Sequence, residues 1–196
     1  MIEKNNFTKH SFEKLKKAIL AVDDKVKDDV YALSFWFFTD NDDPRYPMIV
    51  FSYNTITNYK NSILSASDEE EAKWNFAFWL QDELEVIGGE KDKLLAEWFK
   101  TTPHYYSEEE NEAAFDDDEL FETTSEQGSM FCEEFIEEII GITQQLFSEK
   151  IIETKFRKNI PILVHELEYY DEPVSWTVRS NPKGLVDEFV EWTKFE

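Results

Sequence analysis

His165-Glu166 is the pair that first invites a catalytic reading. In a helical His-Glu-x-x-His motif, two imidazoles meet one zinc from a single face and the glutamate serves as base. Here position 169 is Tyr and residues 160–167 read as a strand, so the second ligand is missing and no metal role is expected. A histidine beside Leu163 and Leu167, satisfied by a neighbouring polar group, is the expectation. Asp40, Asp42 and Asp43 supply the clustered carboxylates that hard cations prefer, but a calcium loop also needs glycine at its sixth position and glutamate at its twelfth. Arg45 and Phe51 stand in those places, which leaves a solvated turn. Cys132 precedes Glu133 and Glu134, whose charges oppose thiolate formation, and no histidine adjoins it in sequence, so a nucleophile is not expected there. Asp116-Asp-Asp-Glu119 would hold divalent ions only weakly and without selectivity. With five glycines in the chain there is no phosphate-cradling loop, and nothing matches a serine nucleophile elbow. No catalytic residue, cofactor site or metal site is expected.

Charge distribution carries more information. The 196 residues hold 43 Asp and Glu against 20 Lys and Arg, a formal charge of −23. Between residues 101 and 149 there is no Lys or Arg, while fifteen Asp and Glu occur; a mixed surface would place about five basic residues there. A single-sign stretch of this length projects a field, although a chain this acidic also carries acidic runs for solubility alone. The candidate partner-binding residues are Glu108, Glu109, Glu110, Glu112, Asp116, Asp117, Asp118 and Glu119, followed by Glu133, Glu134, Glu137 and Glu138. The last four recur at helical spacing and can share one side of a helix. The expected partner is a basic protein. The same charge repels nucleic acid and anionic lipid, so neither is expected to bind.

The elements that must position these residues begin with two apolar runs, 30–38 and 46–53, joined by the turn-rich Thr39-Asp-Asn-Asp-Asp-Pro-Arg45. Both alternating sets of the first run are apolar or small, which places it inside a sheet rather than at an edge. Phe12, Leu15, Ile19, Val22 and Val26 predict a helix capped by Thr8, with Phe7 and Phe12 as its staple. Ile56, Tyr59 and Ile63 predict a short helix, and Trp74–Leu80 alternates like a strand. Gly88-Gly89 punctuates the chain before a helix with Leu94, Leu95, Trp98 and Phe99 inside. Residues 107–124 read as an acidic loop or insertion, followed by the best helix of the chain, capped by Thr124-x-x-Gln127, with Phe131, Phe135, Ile139, Ile142 and Leu146 in one stripe. Gly141 in that helix suggests close packing. The 160–167 strand and a last helix opening at Asn181-Pro182 complete the reading. Together they predict one α+β domain over 1–196, a mostly antiparallel sheet with a central hairpin, covered by helices.

Val30-Tyr-Ala-Leu33, Tyr53-Asn-Thr55, Ala72-Lys-Trp-Asn-Phe-Ala-Phe-Trp79, Val164-His-Glu-Leu-Glu168 and Arg179-Ser-Asn-Pro182 appear in order along nearly the whole chain. In this the sequence resembles the bacterial family known as domain of unknown function 4303. The resemblance implies a small, cytosolic, single-domain bacterial protein of α+β type and supplies no activity, cofactor or site residue. The single Cys132 excludes an internal disulfide, the amino terminus lacks the apolar core of a signal peptide, and no run approaches the about eighteen apolar residues of a membrane span. The cytoplasm is the expected compartment. The leading functional expectation is a non-catalytic interaction protein, of the immunity type that blocks a toxin nuclease by setting carboxylates where its site holds phosphates. The alternative is an enzyme or a small-molecule-binding domain that uses carboxylates in a cleft, helped by His104, His165 or a tyrosine.

Overall fold

The two apolar runs form neighbouring antiparallel strands, β1 (Val30–Thr39) and β2 (Pro47–Thr55), with Phe35 opposite Phe51 and Phe37 opposite Ile49. Between them, Asn41 and Asp42 take left-handed backbone at φ 55° and 57°, a region that short Asx side chains tolerate. The computed structural model describes residues 2–169 and 171–194. Two further strands, β3 (Glu85–Gly88) and β4 (Ile162–His165), complete a sheet of order β3-β2-β1-β4, so both central runs are interior. β3 is antiparallel to β2, and β4 is parallel to β1 through Leu33–Ile162 to Trp36–His165. The fold is α+β, and the sheet is mixed.

Helices α1 (Ile2–Ala21), α4 (Lys93–Phe99), α6 (Asp118–Ser148) and α7 (Ile151–Phe156) cover one face. The core there joins Leu33, Phe35, Phe37, Ile49 and Phe51 to Leu15 and Ile19 of α1 and to Phe131, Phe135 and Ile139 of α6. Each such side chain contributes roughly 2 kcal/mol by leaving water. The second face carries a smaller aromatic layer. There, Trp74, Phe76 and Trp79 pack with Phe189 and Trp192 over Ala32 and Leu163. These come from α3 (Glu69–Trp74), the turn after it, and α9 (Asp187–Trp192). The remaining helices are α2 (Ile56–Ser62), α5 (Glu108–Ala113) and α8 (Asp171–Ser180).

Both outer strands have their free backbone groups covered by side chains. Along β4, Thr177 Oγ1 accepts from Val164 N and donates to Val164 O, each at 3.0 Å. Asn181 does the same for Ile162, accepting from its N at 2.9 Å and donating to its O at 2.7 Å. At β3, Lys14 Nζ reaches Val86 O at 2.8 Å.

Several local expectations are corrected. Trp74–Leu80 is not a strand: Asp68 caps α3 by accepting from Glu71 N at 2.8 Å, and Asn75 caps a 3-10 turn, Phe76–Phe78, by accepting from Ala77 N at 2.9 Å. Asx capping beat the alternation of rings. Helix α1 starts before Thr8, whose hydroxyl donates back to Lys4 O at 2.9 Å, and Phe7 is core rather than staple. Val22 and Val26 lie past the end of that helix. Asn181 latches β4 instead of capping a helix, and α9 begins only at Asp187. The acidic stretch 107–124 is not a loop but α5, a short turn and the start of α6, so Thr124 is a buried interior residue and not a cap.

Candidate functional site

The acidic stretch folds because its acids start helices. Ser107 and Glu110 form a reciprocal capping box on α5, with Glu110 N donating to Ser107 Oγ at 3.2 Å and Ser107 N to Glu110 Oε2 at 2.8 Å. Asp117 caps α6, accepting from the backbone of Glu119 and Leu120 at 3.1 Å each. Carboxylates in a first turn also meet the positive end of the helix dipole. Helix α6 then runs for 31 residues, its buried stripe on the sheet and its opposite side in water.

β1 and β4 run parallel and end on the same side of the sheet. There α6 and α8 leave a cleft of about 1100 Å³, reached by Thr39 at the end of β1 and Glu166 just past β4. Clefts outside the carboxyl ends of parallel strands are where open sheets bind ligands. The apolar part of the lining is Phe37, Ile136, Met130 and Trp176. Six carboxylates border it: Glu133, Glu134 and Glu137 from α6, and Glu166, Asp171 and Glu172 from the start of α8 and the segment before it. Against them stand Arg179, paired with Glu137, and His104, whose Nε2 lies 3.3 Å from Glu134 Oε1. Glu133, Glu166, Asp171 and Glu172 have no ion pair among the described residues. Burial, and then the charge of Glu172, holds the Glu166 carboxyl above its ordinary range.

The candidate chemical residues are held by neighbouring backbone and side chains. His165 is fully buried, its Nε2 2.7 Å from Ser34 Oγ and its Nδ1 2.6 Å from Glu166 O, and burial lowers its pKa to about 4. No solute reaches either nitrogen. The Cys132 thiol lines the cleft and is pushed up to about 12, by burial first and then by Glu166, Asp43 and Glu133; it donates to Pro44 O at 3.5 Å. It stays protonated and is a poor nucleophile. Asp43 is consumed by Arg45, and Asp40 accepts from Glu90 N at 3.1 Å. Among the described residues no group of three or more His, Cys, Asp or Glu is placed to hold a metal ion.

The twelve expected docking acids separate into groups. Glu108, Glu110 and Asp117 are engaged in an ion pair, a capping box and a cap. Glu138 lies outside the cleft, 2.9 Å from Lys4 Nζ and bonded to the Thr8 hydroxyl. Glu109, Glu112, Asp116, Asp118 and Glu119 are exposed, while Glu133, Glu134 and Glu137 reach the cleft. No family model, curated protein or solved structure matches the chain. The likeness to domain of unknown function 4303 thus rests on the quoted segments alone.

The twelve expected acids, although the charge count covered the whole acidic stretch, leave out two sets of residues. Glu122 and Glu126 join Glu119, Glu133 and Glu137, at helical steps and with Met130 between, in one exposed line along α6. That line extends about 27 Å and ends in the cleft. The α8 side was missed because α8 was. Its signals were Asp171 and Glu172 in the first turn, Pro173 close behind, and Arg179 in the last turn. Its buried face is Pro173, Thr177 and Ser180, too polar to register as an apolar stripe.

Proposed function

We propose that this chain is a non-catalytic interaction protein that holds a basic protein partner against the acidic surface of α6 and the cleft beside α8. The observation that carries the reading is the cleft itself. Six carboxylates meet there against one arginine and one histidine, both already taken up by glutamates. Opposite charge steers such a partner in, and the carboxylates can stand in for phosphates in a nuclease site, which is the logic of an immunity-type inhibitor in the cytoplasm. The alternative, an enzyme using these carboxylates, draws on the raised Glu166 beside Glu172. Among the described residues no group of three or more His, Cys, Asp or Glu near them could hold a metal ion, and the His165 and Cys132 candidates are buried or protonated.

The test is capture from a host extract on wild-type protein and on a variant with Glu119, Glu122, Glu126 and Glu133 changed to Gln, at low and high salt. A basic protein recovered by wild type at low salt, and lost with salt or with the amides, supports the reading. Recovery that is indifferent to both ends it. No helix among the described residues is long and apolar enough to cross a membrane.

A further inference from the structure

The lining of the α6–α8 cleft is specific about what kind of cation it suits. A purely acidic surface is satisfied by any counterion. This one has an apolar floor, with Trp176 standing edge-on to Phe37 at 5.8 Å between ring centres and only partly buried, and Met130 44% exposed at the lip. Four carboxylates around that floor, those of Glu133, Glu166, Asp171 and Glu172, have no cation of their own among the described residues. Across the same gap Arg179 of α8 donates to Glu137 of α6, so a guanidinium–carboxylate pair spans the distance between the two helices.

An ammonium suits such a floor poorly, because it is compact and strongly hydrated and leaves water reluctantly. A guanidinium is planar and weakly hydrated, lies flat on an indole ring, and donates to carboxylates through two N–H groups at once. Its three-carbon stem covers apolar surface while the head stays polar. The volume, about 1100 Å³, exceeds what one side chain fills and suits a short stretch of chain.

Resting on the function proposed above, we infer that the cleft seats an arginine-bearing segment of the basic partner, with one guanidinium on Trp176 and its N–H groups directed to Glu166 and Glu172. Binding is therefore selective for arginine over lysine, which charge steering alone does not give.

The experiment titrates the full chain with short peptides of leucine and glycine whose central residue is arginine, lysine or neutral citrulline, and with free arginine, by calorimetry. The arginine peptide should bind at least tenfold tighter than the lysine peptide, and citrulline should not bind. The Glu166→Gln/Glu172→Gln variant should lose at least tenfold and most of the arginine preference. Glu109→Gln/Glu112→Gln, on α5, should change affinity by less than twofold. Trp176→Phe, which keeps a ring against Phe37, should reduce the preference without unfolding the chain, as checked by circular dichroism. Equal binding of arginine and lysine peptides, free arginine binding as tightly as the peptide, or damage confined to the α5 variant would each overturn the inference. If the cleft variant still captures the basic host partner with wild-type affinity, the cleft assignment fails and only the α6 surface of the wider reading stands. If no basic partner is captured at all, the wider reading fails with it.

Discussion

Arg45 Nη1 donates to Glu108 Oε2 at 2.7 Å and so fastens α5 to the β1–β2 turn. The guanidinium also donates to both oxygens of Asp43 and lies over the rings of Tyr46 and Tyr106, 5.2 and 5.7 Å from their centres. It is only 5% exposed, and its two carboxylate partners hold it firmly protonated. The two ends of this arrangement differ in burial, which makes their mutants differ. Arg45→Gln leaves Asp43 (side chain 17% exposed) uncompensated and should cost about 2–4 kcal/mol in urea unfolding. Glu108→Gln, at a carboxylate 58% exposed, should cost under about 1 kcal/mol. Equal costs would mean that the pair, rather than the burial of Arg45, sets the energy.

Two glycines of α6 should respond to alanine in opposite directions. A Cβ on Gly128 would fall 2.5 Å from Pro44 Cγ and 3.1 Å from Tyr106 Oη, while one on Gly141 meets nothing within 4 Å. Gly128→Ala should destabilise by about 1–3 kcal/mol, because the turn that carries Pro44 must move. Gly141→Ala should stabilise by up to about 1 kcal/mol through helix propensity. Thermal melts of the two variants decide it. Close packing therefore belongs to Gly128, not to Gly141 where the sequence suggested it.

Stability should depend on pH through His165. Unfolded, its imidazole takes a proton near 6.5; folded, it stays neutral until about 4. Between those values the unfolded chain binds the extra proton, so the stabilisation is complete above 6.5 and is lost as pH falls toward 4, by roughly 3 kcal/mol at most. His165→Asn removes this dependence. Urea midpoints at pH 7.5 and 4.5 should fall more for wild type than for the variant, and parallel falls would assign the slope to other groups.

The exposed line on α6 should be self-repelling. Glu122 and Glu126 are like charges one turn apart, which costs a few tenths of a kcal/mol, whereas Arg179 offsets Glu137 beside Glu133. Glu122→Gln/Glu126→Gln should raise the melting temperature slightly at low salt and not at high salt. A rise that persists at high salt would point to a cause other than charge.

The sequence was most legible where burial imposes a period. Both faces of residues 30–38 are covered, and the stripe Phe131, Phe135, Ile139, Ile142 and Leu146 is buried throughout, so these elements could be read from apolar spacing alone. Where capping decides the structure, spacing misled. The rings of Trp74, Phe76 and Phe78 alternate like a strand, but Asp68 and Asn75 bend that chain into helix and turn. The acids at 107–124 look like a solvated run, yet Ser107, Glu110 and Asp117 are caps. Half of the cleft stayed hidden because α8 turns Thr177 and Ser180 inward, and polar residues leave no hydrophobic trace. Tertiary proximity of Glu166, Glu172 and Glu133 has no signature in one dimension.

Helix α8 walls the cleft, and its Thr177, with Asn181 just beyond it, also stoppers the outer backbone of β4. The strand beneath is Ile162-Leu-Val-His165, apolar up to its last residue, and a bare apolar edge is a template for pairing with another chain. Release of this one short helix, without global unfolding, would bare it, so aggregation of concentrated protein should track a local opening rather than the global one. A ligand bound in the cleft as proposed would hold α8 down and suppress that opening by mass action. Occupancy of the cleft and resistance to fibril formation would then be two readings of the same helix.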